Sequence, residues 1–292
     1  MSGYAELLMF LRQQEAELKL QRLLEAKGYA NFQNDDFSLN QWTCRLITRR
    51  SGTQDETQDP EIEQPDHLVS FLSIPACWLE ECIDTNSEEF QNWFSGYKWQ
   101  SIPNLNHPFP QGKIQACSEG LILTQGLEPS SKGWLEAFLL IRRDGICEYG
   151  IGRNAYHLYE KDTIFQLIQI VGRLWQFLSF VKDLHELFLQ NKGSEIKIIV
   201  NLRGTKEALI GNLAEGWNEP ASRSYDSYRP KCIDNHLQIQ RKISPGISGN
   251  DIQDIVRWLA TRIDNAWGQF EPRCYVNKKL DETQPFAFRI PK

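Results

Sequence analysis

The sequence has no apolar run long enough to cross a membrane. Its most apolar stretch, Ile164 to Val181, covers 18 residues and is interrupted by three glutamines and an arginine, whereas a transmembrane helix needs roughly 20 apolar residues. The N-terminus runs straight into a polar helical pattern without a secretory leader, and the C-terminus carries no prenylation box. We therefore expect a cytoplasmic protein with no membrane partner.

Disulfide and metal frameworks are also missing. The seven cysteines are odd in number and scattered, which in a chain without a leader favours reduced thiols. Cys77 and Cys82 have the spacing of half a zinc site, with His67 and His107 as further candidate ligands, but a second close pair is lacking. We interpret these cysteines as buried residues of a helix after Pro75, and we expect no metal and no cofactor.

The motifs of the common enzyme classes are absent. There is no glycine-rich phosphate loop, no dinucleotide-binding turn and no nucleophile elbow. His185-Glu186 could open a zinc-protease motif, but Leu189 stands where the second histidine would be. We therefore predict a protein that is not an enzyme.

Two catalytic alternatives stay open. A cysteine hydrolase would pair a thiol with a histidine in space, as Cys147 with His157 or Cys117 with His107. With seven cysteines and five histidines, such pairs readily arise by chance.

A metal-dependent nuclease needs a carboxylate followed by a strand with Glu-x-Lys. Glu195 and Lys197 fit the second half of that pattern, while the upstream Asp183 lies in a predicted long helix.

The net charge of −6 conceals two halves of opposite sign. Residues 1–150 hold 12 basic and 22 acidic side chains, a net −10, while residues 151–292 hold 20 and 16, a net +4. Such a molecule steers partners with its basic end or packs head to tail with a copy of itself. The simpler alternative is one acidic loop plus solvated helix faces.

Three segments follow from the pattern along the chain. Residues 1–50 contain an N-terminal amphipathic helix over 5–27 and a strand over 43–48. Residues 51–66, SGTQDETQDPEIEQPD, have six acidic and no basic side chains and too little apolar surface to fold, which predicts a flexible linker. Residues 67–292 form the main domain, with a subdivision near residue 160 left open.

The main domain combines strands and helices. Strands are predicted over 67–75, 121–124, 134–143, 146–150, 195–202 and 232–243, and helices over 163–190 and 251–267. The Trp-, Asn- and Pro-rich stretch around Trp93 is predicted to be irregular. Asp144-Gly145 predicts a hairpin with a type I′ turn. The fold class is α+β, with a mostly antiparallel sheet from residues 113–159 and 195–243 packed against two long helices.

The best candidate contact surface is the loop over residues 216–231, GWNEPASRSYDSYRPK. It interleaves aromatic and basic side chains: Trp217, Arg223, Tyr225, Tyr228, Arg229 and Lys231. Aromatic rings stack on bases or on protein surfaces, and guanidinium groups bind phosphates or carboxylates. A protein partner is favoured over nucleic acid because the C-terminal half carries only +4. Packing of these aromatic rings onto the core is the alternative.

Part of the main domain resembles a known module. The segments HLVSFLSIP (67–75), ACSEGLILT (116–124) and FLLIRRDGICEYG (138–150) are similar to the module after the N-terminal domain in Schlafen-like, AlbA-type proteins of bacteria, which are assigned to DNA binding. The resemblance, over residues 67–150, implies a sensing or docking module without catalytic activity. The family's N-terminal acidic residues have no counterparts here, so no functional residue is carried over.

These observations predict a non-enzymatic binding module: a sensor, adaptor or subunit of a larger bacterial assembly, one concerned with defence against foreign nucleic acid. Nine tryptophans support an interface role, because Trp often anchors protein contacts. Two alternatives are a nuclease built around Glu195 and Lys197 and a non-catalytic nucleic-acid-binding protein that uses the basic C-terminal half.

Overall fold

The computed structural model describes residues 68–75, 81–99, 112–125, 137–152, 155–159, 162–189, 195–211, 231–244 and 246–268. All of these residues belong to one compact unit, Leu46–Lys292. The predicted N-terminal helix, the strand over 43–48 and the acidic linker over 51–66 lie outside the described residues. They stay predictions, as do the domain boundaries.

Ten strands and three helices make up the described part of the chain. The strands are β1 (Leu68–Pro75), β2 (Lys113–Cys117), β3 (Gly120–Gln125), β4 (Ala137–Arg142), β5 (Cys147–Ile151), β6 (Tyr156–Tyr159), β7 (Asp162–Gln166), β8 (Ile196–Arg203), β9 (Leu209–Gly211) and β10 (His236–Ile243). The helices are α1 (Glu88–Ser95), α2 (Leu167–Phe188) and α3 (Gly249–Ala266).

Seven strands form one large sheet in the order β10-β8-β1-β5-β4-β3-β2. Every neighbouring pair in this sheet is antiparallel. A separate small sheet contains β6, β7 and β9, in which β7 and β9 run parallel. These findings confirm an α+β protein with a mostly antiparallel sheet.

β1 is an inner strand of the large sheet, the third of seven, a position that the sequence did not predict. The predicted sheet comprised only residues 113–159 and 195–243, but β1 pairs with β5 on one side and β8 on the other. All eight residues of β1 are buried, because its continuous apolar run has no polar face to expose. Residues 156–159, which the prediction assigned to the same sheet, belong to the small sheet instead.

The large sheet is buried on both faces at β1. Phe71 of β1 contacts Phe177 of α2, with ring centroids 5.9 Å apart, so this face packs against the helix. Leu72 and its neighbour Ile199 point to the opposite, second face, because successive strand residues alternate. Both are buried as well.

The hairpin of β4 and β5 is present, but its turn differs from the predicted type I′ turn. Gly145 N donates to Arg142 O at 3.0 Å, and Arg142 N donates to Ile146 O at 2.9 Å. Gly145 has a φ of +79°, whereas Asp144 keeps a negative φ. The loop is therefore a type I turn followed by a glycine bulge. Asp144 holds it with its carboxylate, which accepts from Arg142 Nε at 3.2 Å.

The helices differ from the prediction at two places. The stretch around Trp93, predicted to be irregular, contains α1, whose N-cap Ser87 accepts a hydrogen bond from Phe90 N at 3.2 Å. The helix predicted over 163–190 begins only at Leu167, because residues 162–166 pair with β6 and β9. Apolar periodicity does not separate a short buried strand from a helical turn.

α3 begins at Gly249, two residues before the predicted start, behind a capping box. Ser248 Oγ accepts from Asp251 N at 3.3 Å, and Asp251 Oδ2 accepts from Ser248 N at 2.7 Å. The free N–H groups at this helix end are thereby partly satisfied. Across the described part of the chain, none of the helices is long and apolar enough to cross a bilayer.

Gly150→Ala tests the packing of the second sheet face. A Cβ at residue 150 would lie 2.4 Å from the ring of Phe138, which is fully buried. Because a buried ring has little room to move, we expect the substitution to lower the free energy of unfolding by about 2 kcal/mol. Urea denaturation measures this change.

Gly246→Ala is the matched control, since nothing lies within 4 Å of its added methyl group. It should change the free energy of unfolding by less than about 0.5 kcal/mol. In a Phe138→Leu background, Gly150→Ala should cost less, because the opposing ring is gone. An equal cost in both backgrounds would contradict this packing.

Candidate interaction surface

The structure gives Glu195 a different environment from the one that a nuclease requires. Glu195 is exposed, and its Oε2 lies 3.7 Å from Nζ of Lys242. The upstream Asp183 accepts a hydrogen bond from Tyr97 Oη at 2.7 Å. Among the described residues, no group of three or more His, Cys, Asp and Glu side chains could hold a metal ion. Glu195 therefore takes part in a surface ion pair.

The candidate thiol of a cysteine hydrolase, Cys147, is fully buried in β5. Its pKa is raised to about 12, mainly by burial and also by the nearby Asp144 carboxylate, although a hydrogen bond with Ser73 acts in the opposite direction. The thiol is therefore protonated at neutral pH, when a nucleophile would need the thiolate. The side chain of its candidate partner His157 lies outside the described residues.

The predicted zinc half-site is described only at Cys82. Cys82 is buried, but it precedes α1 in a segment without helix, where its N–H donates to Arg143 O at 2.7 Å. The prediction that Cys82 belongs to a helix after Pro75 is therefore wrong. Cys77, His67 and His107 lie outside the described residues.

Most of the predicted contact residues also lie outside the described residues: Trp217, Arg223, Tyr225, Tyr228 and Arg229. The structure does show how the two ends of their loop are attached. Cys232 N donates to Ala208 O at 3.2 Å, and Glu207 N donates to Cys232 O at 2.9 Å. The chain thus leaves after β9 and returns at Lys231 beside the same short segment. We call residues 205–211 and 231–235 the loop base.

Further hydrogen bonds fix the loop base to the domain. Gly204 N and Thr205 N both donate to Asn235 O, at 2.9 and 3.2 Å. The fully buried Trp267, at the end of α3, donates from its indole Nε1 to Ala208 O at 2.8 Å. The loop base is therefore held by β8, β10 and α3 together.

Lys231 and Ile233 are among the residues of the loop base that face solvent. Lys231, the one predicted contact residue that the structure describes, is exposed. Ile233 is 84% exposed, more than the other large exposed apolar side chains of the described part, Leu187 and Ile114. An exposed apolar side chain on a hydrogen-bonded support is a common anchor in protein contacts.

Sequence reasoning missed Ile233 because it extended the strand over 232–243. In that strand Ile233 would share the buried face of Ile239 and Ile243. The strand begins only at His236, and Cys232 makes an isolated bridge with Lys206. The alternation of strand residues therefore does not apply at Ile233, and no local pattern indicates that it is exposed.

A second cluster joins β10 and α3. The guanidinium carbons of Arg241 and Arg262 lie 4.9 and 5.2 Å from the ring centroid of Trp258. We call these three residues the arginine–tryptophan cluster. Neither arginine forms an ion pair within the described residues, so both keep hydrogen-bond donors for an anion. The sequence did not reveal this cluster, because its members are brought together only when α3 packs on β10.

The burial of Cys147 predicts an unreactive thiol. We expect iodoacetamide at pH 8 to modify Cys147 in the native protein at least roughly a hundredfold more slowly than the half-buried Cys117, because a thiol with a pKa of about 12 offers almost no thiolate. Mass spectrometry of tryptic peptides measures both rates. In urea the two rates should become similar, whereas fast native labelling of Cys147 would revive the hydrolase alternative.

No protein-family model, no curated protein and no solved structure matches the chain. The resemblance of residues 67–150 to Schlafen-like, AlbA-type proteins accordingly stays a prediction from the sequence. The function has to be inferred from the side chains that the fold places at the surface.

Proposed function

We propose that the protein is a non-enzymatic binding module: a sensor, adaptor or subunit of a larger cytoplasmic assembly of bacteria. Its contact surface is the loop base together with the loop over residues 212–230. The observation that carries this proposal is Ile233, an apolar side chain that is 84% exposed on a hydrogen-bonded support. Defence against foreign nucleic acid is the setting that the family resemblance implies.

The composition of this surface suits a protein partner. Burying an exposed Ile side chain contributes about 1.5 to 3 kcal/mol. The loop adds Trp217, Tyr225 and Arg229, which belong to the residue types that dominate binding energy at protein interfaces. Because the base is already ordered, little conformational entropy is lost there when the partner binds.

A non-catalytic nucleic-acid-binding protein is the second candidate. It is motivated by the exposed Lys231 and the net +4 of residues 151–292. Binding to phosphates would weaken steeply as salt rises, because condensed counterions are released from the nucleic acid. Docking through Ile233 would change little over the same salt range, so a salt titration separates the two candidates.

Ile233→Asp should remove the partner that the tagged protein captures from a lysate of its native host. A carboxylate at this position would have to be desolvated in the apolar contact, so we expect at least roughly a tenfold loss by quantitative mass spectrometry. Leu187→Asp is the matched control, since Leu187 is 58% exposed on α2 and the charge change is the same. The melting temperatures of both variants should stay within about 2 °C of the parent.

The double variant Tyr225→Ala and Arg229→Ala extends this test to the loop. It should lose the same partner and keep the parent melting temperature, because no core volume is removed. A variant that unfolds would place these side chains in the core. If Ile233→Asp and the double variant both retain the partner, the interface lies elsewhere.

Glu195→Ala tests the nuclease alternative. We expect no cleavage of single- or double-stranded nucleic acid by the parent protein in Mg²⁺ or Mn²⁺, followed on denaturing gels. Metal-dependent cleavage by the parent that Glu195→Ala abolishes would replace the binding proposal with an enzyme. Lys242→Ala is the control variant, because it breaks the surface ion pair of Glu195 and leaves the carboxylate in place.

A further inference from the structure

No described strand pairs with the outer edge of β10. Among the described strands, β8 alone pairs with β10, in an unbroken register over eight residues. Alternate residues of an antiparallel strand direct their N–H and C=O groups away from the neighbour. Gly204 N donates to Asn235 O, so the backbone groups of Asn235 and of every second residue after it point towards β8. The backbone N–H and C=O groups of Gln238, Gln240 and Lys242 therefore point outward. Such an edge can bind an extended peptide by strand addition.

Positive charge is concentrated near one end of this edge. Arg241 lies on the sheet face that packs against α3, and Lys242 lies on the opposite face, because successive strand residues alternate. Arg262 of α3 adds a second cation beside the Trp258 ring, 5.2 Å from its centroid. Lys242 is paired only weakly, with the exposed Glu195 at 3.7 Å. An added strand would therefore meet cations on both faces.

Contact with Trp258 restricts the two arginine side chains before an anion binds. Contact with the indole ring restricts each guanidinium group, and neither group spends its N–H donors on an ion pair within the described residues. A guanidinium edge matches a carboxylate, which it binds through two parallel hydrogen bonds. Less side-chain entropy is then lost when a carboxylate arrives.

The surroundings favour carboxylates of a peptide over phosphates of a nucleic acid. Both guanidinium groups lie over the Trp258 ring, so its faces are not free to stack on bases. Nucleic acids also need a longer basic track than this edge provides.

We infer that the β10 edge binds an extended acidic segment of a partner protein by strand addition, with carboxylates on Arg241 and Arg262. The backbone of the added segment pairs with the outward groups of β10. Its acidic side chains lie beside the arginine–tryptophan cluster. This surface is separate from the loop base, so either proposal can fail without the other.

The probe is a fluorescein-labelled nine-residue peptide in which valine and glutamate alternate, measured by fluorescence anisotropy. Saturable binding that weakens with salt is expected. The same peptide with lysine in place of glutamate tests the charge, and a glutamate peptide N-methylated at alternate residues tests the backbone pairing. Each should bind at least tenfold more weakly. Equal binding of the N-methylated peptide, or no binding of the parent peptide, would overturn the inference.

Arg241→Gln with Arg262→Gln should weaken binding of the glutamate peptide at least tenfold. Arg257→Gln is the matched control, because Arg257 is exposed on the same helix and does not stack on Trp258. It should stay within twofold of the parent. If the double variant loses its melting transition, the single variant Arg262→Gln gives the same comparison, since that side chain is exposed.

Two other occupants are distinguished in the same experiments. A labelled 20-nucleotide single strand that binds more tightly than the glutamate peptide, and depends on Arg241 and Arg262, would assign the edge to nucleic acid. A concentration-dependent dimer in sedimentation, lost in the same double variant, would assign it to a second copy of the chain. Either result would overturn the assignment to an acidic partner segment.

Discussion

The pairing of β1 on both of its sides is the contact on which the rest of the fold depends. Ser73 of β1 pairs with Cys147 and with Ile198, which lie 74 and 125 residues further along the chain. Joining such distant segments costs loop-closure entropy. Burial of β1 on both faces offsets that cost.

The surfaces proposed for binding follow from β8, the second neighbour of β1. β8 pairs with the edge strand β10, and Trp258 of α3 lies beside Arg241 of β10. After Gly204, the chain of β8 continues into the loop base. Two side-chain hydrogen bonds join the neighbouring strands: Gln238 donates to Asn201 at 3.1 Å, and Asn201 donates to Ser70 at 3.4 Å. Asn201 and Ser70 are buried, so a slipped register would leave their polar groups without hydrogen-bond partners.

Two buried ionisable side chains are uncharged near neutral pH. Burial lowers the pKa of His185 to about 4 and raises that of Cys147 to about 12, so both are neutral near pH 7. Among the side chains at the surface are the exposed Ile233 and Arg262 and the half-buried Arg241, the last two beside Trp258. Binding of a complementary surface lowers the free energy in two ways: it removes the isoleucine from water, and it supplies carboxylates to the arginines.

The sequence by itself determined the α+β class, the strands near residues 67–75 and 195–202 and the position of the Asp144-Gly145 hairpin, because these depend on the alternation of nearby residues and on turn chemistry. Only the tertiary structure decided that β1 is an inner strand, that residues 162–166 form a strand and that Ile233 is exposed. It also brought Arg241 to Trp258. Each of these depends on which distant segment supplies the neighbouring atoms, and no local pattern contains that information.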